Sequence, residues 1–241
     1  MTTQAQTPYS GASTMDIEAG ALLKFENQIP PRYIAIEGPI GVGKTTLARK
    51  IAQIFNRPLL LEPAEDNPFL DRYYREGKRH ALSTQLYFLL HRARQIEDIS
   101  AGDLLEPTLV ADFLIEKDDL FARLTLDDNE YALYRQIHES LALKAPHPDL
   151  VIYLQAPAQV LLSRIRRRGI RYESEIRTDY LESLIDTYTE FFHFYDAAPL
   201  LVVNATEIDI ANNADHFDAL VAQILSMDSP RQYFNPHPTL L

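Results

Sequence analysis

Residues 38–45 read Gly38-Pro39-Ile40-Gly41-Val42-Gly43-Lys44-Thr45, a complete G-x-x-x-x-G-K-[ST] phosphate-binding loop. Each part has a mechanical job. Gly38, Gly41 and Gly43 let the backbone curl until successive N–H groups face one anion. Lys44 supplies a point charge for the β- and γ-phosphates of a nucleotide, and Thr45 offers a hydroxyl to Mg2+. Thr46 continues the helix that opens here, whose positive end faces the same phosphates. The pattern calls for ATP or GTP with Mg2+ but does not name the acceptor, because nucleotide-gated switches carry it too.

Four further groups of side chains bear on the chemistry. Asp112 ends the apolar run Leu109-Val110-Ala111, where an acid can hold Mg2+ or its water; the competing reading is a helix N-cap. Glu62 follows Leu59-Leu60-Leu61 and precedes Pro63, which stops the strand. A carboxylate fixed there can take the proton of an attacking hydroxyl, or it can be a loop acid, solvated or paired with an arginine. Gln85, Phe88 and Arg92 share one helical face at i, i+3 and i+7. An amide and a guanidinium beside a ring suit a flat heterocycle, although the spacing by itself fits an ordinary core helix with a polar rim better. Finally, five arginines fall within residues 164–171 of a chain whose net charge is −11. They read as a lid that closes over transferring phosphates, against the alternative of a solvated basic helix end.

These residues need a scaffold that brings them together. Apolar, β-prone runs lie at 33–37, 58–62, 108–112, 150–154 and 200–204. Helical patterns fall between them, at 43–56, 66–76, 80–100, 115–144, 157–168, 174–196 and 211–227. The alternation predicts an α/β fold with a five-stranded parallel sheet flanked by helices. Ligands of such sheets bind beyond the carboxyl ends of the strands, which puts Glu62 and Asp112 near the phosphate loop. One domain is expected over residues 31–228. Residues 1–13 are small and polar and are expected to be mobile; 14–26 read as a short helix within an N-terminal extension over 1–30. The segment 229–241, with three prolines, reads as an irregular tail.

Composition narrows the partners. The chain has 241 residues, 46% of them hydrophobic, and a pI near 5.1. So acidic a chain lacks the basic footprint that duplex nucleic acid requires. It has no cysteine, which excludes disulfides, thiolate metal sites and cysteine nucleophiles, and fits a reducing, cytoplasmic compartment. No apolar run is long enough to span a membrane, and no secretory signal is read at the N-terminus.

Taken in order, the stretches IAIEGPIGVGKTTLA, LLLEPAEDNPFLDRYY, STQLYFLLHRARQ, VADFLIEKDDLFARLTL and RIRRRGIRYESEI resemble the deoxynucleoside kinase family, above all its bacterial deoxyadenosine/deoxyguanosine branch. The likeness covers about residues 32–226. It implies a P-loop kinase with an arginine-rich lid that moves the γ-phosphoryl of ATP to the 5′-hydroxyl of a deoxynucleoside. It implies Glu62 as general base, Tyr74 and Glu173 on the sugar 3′-hydroxyl, Gln85 on the base and Arg92 lining its pocket. Arg164 and Arg168 match the lid arginines, and residues 207–210 fall where the family holds adenine. A homodimer is also implied. Two departures stand out. Many members carry a Glu/Asp-Arg-Ser triplet where this chain has Ala111-Asp112-Phe113, so Asp112 either keeps the acid's role or aligns with the missing arginine, and Lys117 is a candidate for the lost positive charge. The lid has Ile170 where many have a third arginine, with Arg171 adjacent. Two other functions fit the same loop: a thymidylate-type nucleotide kinase, with Arg72 or Arg75 on the acceptor phosphate, and a non-catalytic ATP-gated module.

Overall fold

The computed structural model describes residues 28–101, 108–141, 146–208, 210 and 213–235. The readings made above for residues 1–26, and for Asp209, lie outside them. Among the described residues six strands form one sheet: β1 (Tyr33–Glu37), β2 (Leu59–Leu60), β3 (Leu109–Ala111), β4 (Leu150–Gln155), β5 (Leu200–Asn204) and β6 (Arg231–Phe234). Their order is β2-β3-β1-β4-β5-β6. All five pairings are parallel. Five strands sit in the runs expected from sequence. The sixth lies in the segment read as an irregular tail, where Leu200–Val203 of β5 pair with Arg231–Phe234. Its residues are polar and aromatic and mostly half-buried, the pattern of an edge strand, so its apolar signal is faint.

The helices among the described residues are α1 (Lys44–Ile54), α2 (Leu70–Glu76), α3 (Ala81–Ala101), α4 (Lys117–Thr125), α5 (Asp128–Leu141), α6 (Ala158–Arg168), α7 (Thr178–Phe194) and α8 (Ala214–Leu225). Alternate residues of β1 serve opposite faces. Ile34 and Ile36 pack with Leu47 and Ile51 of α1, Leu161 and Ile165 of α6, and Leu220 and Ile224 of α8. Tyr33 and Ala35 pack with Leu120 of α4 and with Leu184, Tyr188 and Phe192 of α7. With both faces covered, β1 is buried along its whole length. Ala81 and Leu89 of α3, Ala122 of α4 and Tyr134 of α5 form a smaller third cluster.

The single helix expected over 115–144 is two. Asp127 accepts the N–H groups of Asn129 and Glu130, both at 2.9 Å, while the Glu130 carboxylate accepts the Asp127 N–H at 3.2 Å. This reciprocal capping starts α5 afresh and lets α4 turn its first residues toward the carboxyl ends of the strands.

Candidate active site

The phosphate loop runs directly from β1 into α1. Gly41 has φ +82, and a Cβ there would lie 2.7 Å from Ile165 Cγ1 of α6, so only glycine lets the loop pack on that helix. Gly43 caps α1 in a left-handed conformation, and no side chain covers the first amides of the helix. Those amides, with Thr45 and Thr46, form the wall suited to an anion. The Lys44 ammonium donates to Gly38 O at 2.7 Å. Burial pushes it below its ordinary pKa; Glu37, Glu62 and Asp112 oppose that shift and Lys117 adds to it.

Asp112 joins the loop to Glu62. Its Oδ2 accepts the Thr45 hydroxyl at 2.5 Å, and its Oδ1 accepts the Glu62 N–H at 2.7 Å. It does not cap a helix, since α4 starts only at Lys117. Glu62 is a paired carboxylate rather than a solvated one: Arg92 donates to its Oε1, and Lys117 donates to its Oε2 at 2.9 Å. Burial pushes its pKa up, but Lys117 and Arg92 more than offset this and hold it at about 2.

Arg92, 4% exposed, lies between Glu62 and the equally buried Asp118 and packs over the rings of Phe88 and Phe113. Gln85 Nε2 meets Thr125 Oγ1 at 3.3 Å. Gln85, Phe88 and Arg92 all line one cleft with Lys44, Thr45 and Glu62. The face of α3 that spacing alone read as a core helix thus borders the cleft.

The turn at residues 171–175 borders the cleft through Glu173. Tyr172 stacks on Tyr74 with ring centroids 6.1 Å apart and planes 4° apart. Burial, with Tyr73, Glu173, Tyr172 and Glu62 nearby, pushes the Tyr74 hydroxyl well above its usual pKa, so it remains a neutral donor. Arg168 grips Glu173 with two nitrogens, one of them at 3.0 Å from Oε2. Arg164 is placed differently. Its guanidinium donates to Val42 O at 3.1 Å and Ala205 O at 2.7 Å, stitching the phosphate loop to the turn after β5. A second, open groove follows that turn and is lined by Gly43, Lys44, Arg164, Arg167, Ile208 and Ile210, among others.

Sequence reasoning missed Glu37 and Asp118. Glu37 reads as the polar end of a strand, yet it is fully buried. Asp118 sits in Lys117-Asp118-Asp119, which looks like an ordinary acidic first turn. Only their partners reveal them. Neither Arg72 nor Arg75 lines the cleft, and Arg75 pairs with Asp71 at 2.5 Å on the exposed side of α2.

The model of the deoxynucleoside kinase family matches residues 34–227, most of the chain and all of this machinery. The chain belongs to the deoxynucleoside kinase family. It is an ATP-dependent kinase. The kinase is 38% identical to a deoxyguanosine kinase of Bacillus subtilis (strain 168) over 80% of this chain and 95% of that protein. It is 30% identical to a deoxyadenosine kinase of Lactobacillus acidophilus over 76% and 89%. Among solved structures, the deoxyadenosine kinase of M. mycoides with bound dATP superposes with a TM-score of 0.69 at 28% identity, covering 80% of this chain and 98% of that one. These relatives favour a nucleoside kinase over both the nucleotide kinase and the non-catalytic module. No described helix is long and apolar enough to cross a membrane.

Proposed function

We propose that this enzyme moves the γ-phosphoryl group of ATP to the 5′-hydroxyl of a purine deoxynucleoside, deoxyadenosine or deoxyguanosine. The observation that carries the reading is a single cleft lined by phosphate-loop groups and by Gln85, Phe88 and Arg92, in which Glu62 meets Arg92 and is tied through Asp112 to Thr45. The distribution matches a sugar lying between a phosphate donor and a flat base.

In this reading Gln85 hydrogen-bonds the base through its amide, Phe88 packs against it and Arg92 borders it. Tyr74 and Glu173 hold the sugar 3′-hydroxyl. Glu62 accepts the 5′-hydroxyl proton as the oxygen attacks in line. Its low pKa keeps it ionised at neutral pH, and Lys117 supplies the positive charge that the triplet arginine supplies elsewhere. Lys44, the amides of Gly41, Gly43, Thr45 and Thr46, and Arg168 face the phosphates, while Arg164, expected among the lid arginines, braces the phosphate loop beside them through Val42 O and Ala205 O. Gly38 begins the loop, and residues 205–208 and 210, which line the open groove, border the donor base.

The Thr45 hydroxyl and the Asp112 carboxylate fit Mg2+, being hard oxygen donors side by side. Among the described residues no group of three or more His, Cys, Asp or Glu assembles a metal site, so these two donors would hold the ion together with the phosphates. Bound there, Mg2+ would neutralise charge on the transferring group. A homodimer and a cytoplasmic setting complete the proposal; Leu90 on α3 and Leu133 on α5, each about half exposed, suit packing between helices of two copies.

The test is Mg2+-ATP with the four deoxynucleosides, their ribonucleosides and dTMP, scoring the phosphorylated product. Preferential dAMP or dGMP formation is expected. Product from dTMP alone, or from pyrimidine nucleosides alone, contradicts the reading.

A further inference from the structure

Glu37 has no part in the roles above, yet it is the most completely enclosed charge near the cleft. It ends β1, one residue before the phosphate loop. Its Oε1 accepts the Gly38 N–H at 2.9 Å and the Tyr188 hydroxyl of α7 at 2.8 Å. Its Oε2 accepts the Leu114 N–H at 2.8 Å and faces the Lys117 ammonium at 3.7 Å. Four segments therefore meet on one carboxylate: the start of the phosphate loop, the connection after β3, α4 and α7.

Lys117 is the link to the acceptor. Its ammonium is 2.9 Å from Glu62 Oε2, so one buried cation spans two carboxylates. One carboxylate is rooted in the loop that binds the donor, and the other belongs to the group assigned to the acceptor hydroxyl. In-line transfer depends on the distance between those two parts, and a displacement of about 1 Å can cost about 100-fold in rate. Every partner of Glu37 is a donor, and a carboxylate can satisfy them all. An amide of the same size cannot, because its NH2 would face either the Gly38 N–H and the Tyr188 hydroxyl or the Leu114 N–H and Lys117.

We propose that Glu37 is a positioning residue for phosphoryl transfer: rooted at the phosphate loop by the Gly38 N–H, it acts through Lys117 to set the place of Glu62 relative to that loop. This rests on the roles given to Glu62 and Lys117 above. The contact pattern distinguishes it from a purely structural buried acid, since a fold anchor has no need to share its cation with the cleft.

The experiment is a double-mutant cycle on the full chain with Glu37→Gln, Lys117→Met and the pair together, reading kcat and both KM values. Glu37→Gln is expected to lower kcat by about 10- to 100-fold while KM for ATP and for the deoxynucleoside stays within about 3-fold. The pair is expected to be no slower than Lys117→Met alone, because the effect of Glu37 passes through Lys117. Wild-type kcat in Glu37→Gln, or losses that multiply in the pair, overturns the proposal. Wild-type kcat in Lys117→Met overturns the assigned role of Lys117 and removes the proposal with it. If Glu37→Gln does not fold, Tyr188→Phe decides: it removes one donor and keeps both charges. A smaller kcat loss that vanishes in the Lys117→Met background supports the proposal, and an unchanged kcat refutes it.

Discussion

Replacing Arg92 by Met should unbalance the centre of this enzyme more than any exposed charge could. The guanidinium is 4% exposed and lies against two carboxylates, Glu62 and Asp118. Met retains much of the side chain's bulk against Phe88 and Phe113, so what is lost is the charge. Asp118, 2% exposed, is then left in the interior without its cation. Removing one partner of a buried pair typically costs about 3–5 kcal/mol, because the surviving ion has neither water nor a counter-charge. At about 2–4 °C per kcal/mol for a domain of this size, melting should fall by about 6–20 °C. The double variant Arg92→Met/Asp118→Leu removes the stranded charge as well and should recover at least half of that loss. Scanning calorimetry of the three proteins at neutral pH measures it. A single variant that melts within about 2 °C of the wild type, or a double variant less stable than the single one, would refute the reasoning.

Two further outcomes follow from the same geometry. The Glu62 carboxyl is held at about 2 in the folded enzyme against an ordinary 4.5, so the folded state binds fewer protons than the unfolded one at acid pH. The resulting stability is complete above the ordinary value and is lost as pH falls toward 2; Glu62→Gln should therefore flatten the stability–pH curve in that window, and an unchanged slope in urea titrations contradicts this. Gly41→Ala puts a Cβ 2.7 Å from Ile165 Cγ1 at φ +82, a strain of about 1–3 kcal/mol that should displace the loop and raise KM for ATP, whereas a wild-type KM and melting temperature would show the loop to be more pliant than its packing implies.

Much of this was legible in the chain, for reasons that differ from residue to residue. The phosphate loop announces itself because its function needs glycine at fixed offsets. β1 and β5 match the expected runs because a strand buried on both faces must be continuously apolar. The break between α4 and α5 was also written in the chain, as Asp127 followed three residues later by Glu130, but a continuous helical period masks a capping signal. β6 escaped because an edge strand needs little apolar character. Glu37 and Asp118 escaped for another reason: the chemistry of a buried acid lies in which distant donors surround it. Glu37 meets Leu114 and Tyr188, which are 77 and 151 residues away, and no local pattern contains those pairs. For Glu62 the structure shows the arginine pairing that the sequence offered as the alternative, while its work as a base is the proposal made above.

Transfer through Glu62 is the central claim, and Glu62→Gln tests it most directly. The amide keeps the side chain's size but cannot accept the hydroxyl proton. Single-turnover phosphorylation of the preferred deoxynucleoside, with ATP affinity measured separately by calorimetry, should show a rate loss of about 10²- to 10⁴-fold at unchanged ATP affinity. A rate within a few-fold of the wild type would mean that Glu62 only balances Arg92 and Lys117, and that the proton leaves by another route.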